Sequence, residues 1–144
     1  MVRLNRKVDY ALRASLDLAL HAAPGELVRT AEIAKRTGTP SKFLEAILSQ
    51  LGAAGVVESQ RGARGGHRLA RPASSVTVGE VLQVAGGASP SVVRRRVPAD
   101  GPGRAIERLW QDAEQAVKKA VEGVTLEDLA HRAQQLSSVP DYSI

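Results

Sequence analysis

The chain of 144 residues contains no cysteine. It therefore forms no disulfide, offers no thiolate to a metal or an iron–sulfur cluster, and cannot sense redox state through a thiol. Aromatic residues are almost as scarce, with one Phe, one Trp and two Tyr. A core without them has to come from Leu, Val, Ile and Ala, which favours helices packed on helices over an aromatic-rich β-sandwich. No uncharged apolar run reaches the roughly 18 residues of a membrane-spanning helix. Residues Met1 to Lys7 lead into a charged amphipathic pattern rather than the apolar stretch of a signal peptide, so a cytoplasmic location is expected, with no membrane partner. Ser/His/Asp groupings, paired catalytic carboxylates and cofactor fingerprints are also missing, which argues against an enzyme. His21, His67 and His131 are far apart and lack ligand spacing, so no metal site is expected.

Apolar residues make up 43% of the chain, enough for one compact core with an appended arm. Charge is uneven: residues 1–71 hold 12 Lys and Arg against 6 Asp and Glu, while residues 72–144 hold 8 against 9. A basic first half is the electrostatic footprint of a phosphate-binding surface, although an Arg-rich composition alone also produces it.

From Asn5 to Ala22, Val8, Leu12, Leu16 and Ala19, with Ala11, Ser15 and Leu18 beside them, recur at helical spacing, and Pro24-Gly25 closes the segment. Thr30 to Thr37 reads as a short helix with Thr30 as its cap. Gly38 to Ser41 breaks it and starts another, whose Phe43, Leu44, Ile47, Leu48 and Leu51 form an apolar stripe assigned to the core. Ser41, Lys42, Glu45, Ala46, Ser49 and Gln50 occupy the rest of that helix and are free to meet a partner. Gly52 to Gly55 stops it. Val56 to Gln60 has strand character, Arg61 to Gly66 reads as a turn, and His67 to Ala70 returns. The result is a β-hairpin whose glycines permit close backbone approach to a phosphate or groove wall, with Arg61, Arg64 and Arg68 supplying charge. Gly62 to Gly66 lacks the Gly-Lys-Ser/Thr ending of a nucleotide loop and does not lead into a helix. Helix, turn, helix, hairpin is the order of a winged helix-turn-helix, whose second helix enters the major groove.

Val76 to Ala85 reads as a further short helix packed on this module. Gly86 to Gly103, rich in Gly, Pro and Ser around Arg94-Arg95-Arg96, reads as a linker; the arginines suit either phosphate contacts or a solvated loop. A long helix follows, with Ile106, Leu109, Trp110, Ala113, Ala116, Val117, Ala120, Val121 and Val124 at helical spacing. Trp110 on that face suits a core or dimer contact better than an effector pocket. Little else in one chain would cover such a face, so pairing with a second copy is expected, with Ile106, Leu109, Trp110, Ala113, Val117 and Val121 at the interface. Thr125 caps a last helix to about Leu136. The fold expected is mainly α: a winged helix-turn-helix at 1–86, a linker at 87–103, and a dimerisation helix and C-terminal helix at 104–144.

Several segments together resemble the Rrf-two (Rrf2) family of bacterial winged helix-turn-helix regulators: Leu4 to Ala14, Ala31-Glu32-Ile33-Ala34, Phe43 to Leu48, Leu51, Gly55-Val56-Val57, Arg61-Gly62, Gly65-Gly66 and Thr125 to Leu129. The resemblance spans nearly the whole chain. It implies a homodimeric transcription factor on double-stranded DNA, with the Gly65-Gly66 segment of the wing near the minor groove. Lys42, Glu45 and Arg61 match base-contacting positions of the family, and their chemistry agrees: Glu accepts from cytosine N4, while Arg donates to guanine O6 and N7. Ala46 stands where Gln is common and His67 where Tyr is usual. Cluster-binding members carry three cysteines in the loop before the long helix, and the matching stretch Ala88 to Gly103 has none. The resemblance thus implies a cluster-free regulator without a cofactor, whose effector is a small molecule or a partner protein that the sequence does not identify. The expected function is sequence-specific repression at a near-palindromic operator. The alternative is a winged-helix protein-interaction module that has lost specific DNA binding; the retained Arg61, Arg64 and Arg68 weigh against it.

Overall fold

The structure, a computed structural model, describes residues 5–86 and 99–138. The elements run α1 (Arg6–His21), α2 (Thr30–Thr37), α3 (Ser41–Ala53), β1 (Val57–Gln60), β2 (Gly66–Leu69), α4 (Val78–Val84), α5 (Gly101–Glu122) and α6 (Leu126–Ser138), with one 3-10 turn at Ala73–Ser75. The chain is mainly α, and the two strands form one antiparallel hairpin with Val57 opposite Leu69 and Gln60 opposite Gly66.

Helix α1 is the centre of the molecule. Asn5 caps it by accepting from the Val8 N–H at 2.8 Å, and it packs against α2, α3, α4 and α6. Its wholly buried positions are Val8, Ala11, Ala14, Ser15, Asp17 and Leu18. Leu12, Leu16 and Ala19 of the sequence-derived stripe are only partly covered. Small residues at 11, 14 and 15 let neighbouring helices approach α1 closely, so its most buried line follows size as well as hydrophobicity. Leu18, Ile33, Leu44, Leu48, Leu51, Val56, Val76, Val81, Leu82 and Leu126 complete one continuous core. Each fully buried aliphatic side chain contributes about 1.5–3 kcal/mol.

Two boundaries differ from the sequence reading. The N-cap of α2 is Arg29, and Thr30 is its first helical residue. Val28 exchanges backbone hydrogen bonds with His67 at 2.8 Å, which holds the lead-in extended through Arg29 and frees the Thr30 hydroxyl for another partner. Helix α5 begins at Gly101, inside the expected linker, because the Asp100 side chain accepts from the Gly103 N–H at 2.7 Å and Pro102 lies in the first turn. The Arg94-Arg95-Arg96 run lies outside the described residues.

Helix α4 is closed by a reciprocal cap between Thr77 and Glu80, and α6 by the equivalent pair Thr125 and Asp128. Leu126 and Ala130 of α6 are buried in the same core as α1 and α4. The chain thus returns from α5 into the winged helix. Among the described residues, no helix is long and apolar enough to cross a membrane.

Candidate nucleic-acid interface

The α2–α3 corner is built by local chemistry. Gly38 ends α2 with φ +69°, in the left-handed region open to glycine, and its N–H bonds to the Ala34 carbonyl. Thr39 is buried next, its hydroxyl 2.9 Å from that of Thr37, which in turn donates to the Ile33 carbonyl at 2.7 Å. Pro40 then precedes the first residue of α3, and no side chain caps that helix. The Phe43 and Leu44 N–H groups donate to the Pro40 carbonyl at 3.1 and 3.0 Å, and the positive end of the helix dipole lies beside Lys42.

Leu44, Ile47, Leu48 and Leu51 of α3 face the core, while Ser41, Lys42, Glu45, Ala46, Ser49 and Gln50 are exposed. Lys42, Glu45, Ala46 and Ser49 recur at intervals of three and four and share one face. Among the described residues no hydrogen bond or ion pair engages Lys42 or Glu45. Phe43 departs from its assignment to the core: it is 54% exposed. Its ring stacks on Tyr10 of α1 with centroids 6.3 Å apart, a partner outside the α3 stripe that sequence periodicity could not supply.

The wing follows α3 in the chain, β1 packing on α3 and His67 of β2 pairing with Val28 ahead of α2. Arg61 and Arg64 are exposed at its tip with no ion pair among the described residues. Arg68, grouped with them from sequence, points elsewhere: its Nε donates to Glu58 Oε2 at 2.9 Å across the hairpin. That pair neutralises Arg68 locally and leaves the tip charge to Arg61 and Arg64. The two glycines also have internal reasons. A Cβ on Gly65 would lie 2.2 Å from the Gln60 carbonyl oxygen, and one on Gly66 2.8 Å from that of Val28. Gly66 is buried and packs closely against the α2 lead-in.

His67 holds wing and helix-turn-helix together. Its Nε2 lies 2.8 Å from the Thr30 hydroxyl and its Nδ1 2.7 Å from the Ser59 hydroxyl. Burial pushes its pKa below the ordinary value, favouring the neutral ring. Arg29 adds a second tie, donating from its guanidinium to the Ala63 carbonyl in the wing loop. Sequence reading missed both ties, because nothing local marks a partner some 35 residues away.

On α5, Ile106, Leu109 and Trp110 are exposed, whereas Ala113 and Val117 are half-buried and Val121 packs against the core of its own chain. Among the described residues no three His, Asp or Glu side chains are grouped to hold a metal ion.

Comparison with known proteins places this geometry. Residues 4–132 match the family model described as Rrf2, iron-dependent transcriptional regulator. The HTH-type transcriptional regulator IscR of Yersinia pseudotuberculosis is 32% identical over 142 residues, covering 97% of this chain and 85% of that protein. Among solved structures, CymR of B. subtilis, titled the global cysteine regulator, superposes with a TM-score of 0.78 at 30% identity over 92% of this chain and 98% of that one. T. potens IscR superposes with a TM-score of 0.77 at 26% identity, covering 97% and 94%.

Proposed function

The chain belongs to the Rrf2 family and is a DNA-binding transcriptional regulator, and from that premise we propose that it acts as a homodimeric, cytoplasmic repressor at a near-palindromic operator. The observation that carries this reading is the pairing of an unengaged polar face on α3, with Lys42 and Glu45, with a wing tip bearing Arg61 and Arg64. Lys42 and Glu45 reach base edges in the major groove, and Arg61 reads a guanine or the minor groove beside it. Ser41 and Arg64 contact phosphates that fix the register. The exposed face of α5 around Ile106, Leu109 and Trp110 pairs with its copy, so two recognition helices meet two half-sites.

The family description is iron-dependent, but the donor chemistry of this chain does not fit a cysteine-ligated iron centre. There is no cysteine anywhere, and residues 87–98 contain no His, Asp or Glu. The proposed signal is therefore a small molecule or partner protein rather than a cysteine-ligated cluster.

The direct test is selection of fragmented genomic DNA by the purified protein at moderate salt, with sequencing of what is retained. A recurring inverted repeat is the expected result. No enrichment, with or without cell extract to supply an effector, would favour a protein-interaction module instead.

A further inference from the structure

Where α1 meets α3, the surface that faces away from the core is not uniformly polar. Phe43, Ala46 and Ile47 of α3 and Tyr10 of α1 line an open pocket of about 320 Å³, and Arg6 and Lys7 form its remaining wall. Ala46 is exposed one residue from Glu45 and one helical turn from Lys42, so the mouth of the pocket adjoins the face that presents those two side chains. Two observations describe its occupant. The floor is apolar, with a half-exposed Phe43 ring, and an exposed aromatic beside a polar reading face marks a contact surface. Arg6 and Lys7 line it chiefly through their carbon stems, and their charges, neither held by an ion pair among the described residues, lie on exposed side chains beside it, which suits a group that is anionic on one side and apolar on the other.

A thymidine nucleotide has that shape. Its C5-methyl is an apolar group on the major-groove edge, and its phosphate lies on the adjacent backbone. Ala46 has no polar atom with which to seek a base nitrogen or oxygen, and its small side chain leaves the approach to Phe43 open. Resting on the reading of this protein as a DNA-binding regulator, we infer that Ala46 and Phe43 form a thymine-methyl site next to the base pair addressed by Glu45, while Arg6 and Lys7 hold the flanking phosphates. The chain thereby acquires a specificity element that hydrogen-bonding residues alone do not reveal.

The test uses the full chain and the operator obtained by selection, with each thymine replaced in turn by deoxyuridine, which removes only the methyl group. One thymine in each half-site should respond with an affinity loss of about threefold to fivefold, the effect of uncovering one methyl group. The variant Ala46→Gln fills an exposed helix position with a good helix former, so the fold is retained. It should bind thymine and uracil equally at that position. A selected operator on which every uracil substitution is neutral would overturn the thymine site while leaving the regulator reading intact. A methyl effect that persists unchanged in Ala46→Gln would also overturn it, by placing the methyl elsewhere. Failure to select any DNA would overturn both.

Discussion

Asp17 of α1 accepts both prongs of the Arg36 guanidinium of α2, Nε to Oδ1 at 2.8 Å and Nη2 to Oδ2 at 2.9 Å. The carboxylate is 5% exposed and the guanidinium 35%. The pair fixes the angle between the central helix and the first helix of the helix-turn-helix, and its hydrogen bond to Asp17 raises the Arg36 pKa above the ordinary value. Unequal burial makes the two halves of the pair unequal. Arg36→Ala leaves the buried carboxylate with only the His21 ring, Nε2 3.8 Å from Oδ1, beside it and should destabilise the fold by about 3 kcal/mol, whereas Asp17→Ala leaves a guanidinium that reaches water and should cost about 1–2 kcal/mol. Urea denaturation of both variants measures the difference; equal losses would show that burial does not set it.

Arg61→Ala should weaken operator binding by about 1–3 kcal/mol and relax preference at one base position in each half-site. Titration against a panel of operators with single base changes reads both effects. A uniform loss across all sequences would make Arg61 a phosphate contact.

Phosphate contacts release counterions. Operator affinity should therefore fall by about a thousandfold between 50 and 200 mM salt if the dimer neutralises about six phosphates. Arg64→Ala should flatten the dependence of log affinity on log salt by about one unit per protomer. A salt-independent affinity would contradict the electrostatic role of the wing tip.

Leu109 is 59% exposed in the single chain, so a charge there costs its own fold little. In a symmetric dimer the same charge appears twice in an apolar contact, and Leu109→Asp should weaken association by about 3–5 kcal/mol. Sedimentation at graded concentrations should show the monomer mass for the variant at concentrations where the parent sediments as a dimer. Val117→Asp, about two turns further along and half-buried, should act in the same direction. An unchanged mass for both would place the interface elsewhere.

The folded pKa of His67 lies below that of the unfolded chain, because burial disfavours the charged ring. Between those two values the unfolded chain binds more protons. The stability His67 contributes is complete above the ordinary histidine value of about 6.5 and declines as pH falls through the window toward the folded value. His67→Gln keeps hydrogen bonds to Thr30 and Ser59 within reach without a titrating ring. It should flatten the pH dependence of the unfolding midpoint over that window; an unchanged slope would assign it to other groups.

Much of the fold was legible because its determinants are local. The Thr125 cap, the stop at Gly52 to Gly55 and the α3 positions Leu44, Leu48 and Leu51 all follow from neighbours within one or two turns. The departures share a different cause. Thr30 is a good cap by type, yet a backbone pairing between Val28 and His67 shifts the cap to Arg29. Phe43 has the composition of a core residue, yet its partner is Tyr10, on another helix. Gly65 and Gly66 were visible as necessary glycines, but the carbonyls that crowd them belong to Gln60 and Val28. Arg68 was grouped with the tip cations because its pairing with Glu58 depends on hairpin register. The start of α5 at Asp100-Gly101-Pro102 is a local signal, masked by the Gly and Pro content around it.

The segment after α5 returns to meet the one before α4: the Leu126 N–H donates to the Val76 carbonyl at 2.9 Å, and the Val78 N–H to that of Val124 at 2.8 Å. The long helix is thus stitched to the winged helix-turn-helix at its far end and is not a detachable tail. A truncation at residue 86 would remove more than an association surface. It would bare the flank of α1 and α4 that Leu126 and Ala130 cover, and would leave the Val76 carbonyl and Val78 N–H without partners. By the same stitch, α5 packs on α4, α4 on α1, and α1 is the helix on which α3 rests. In the proposed dimer, association through α5 and the placement of α3 would therefore share one framework.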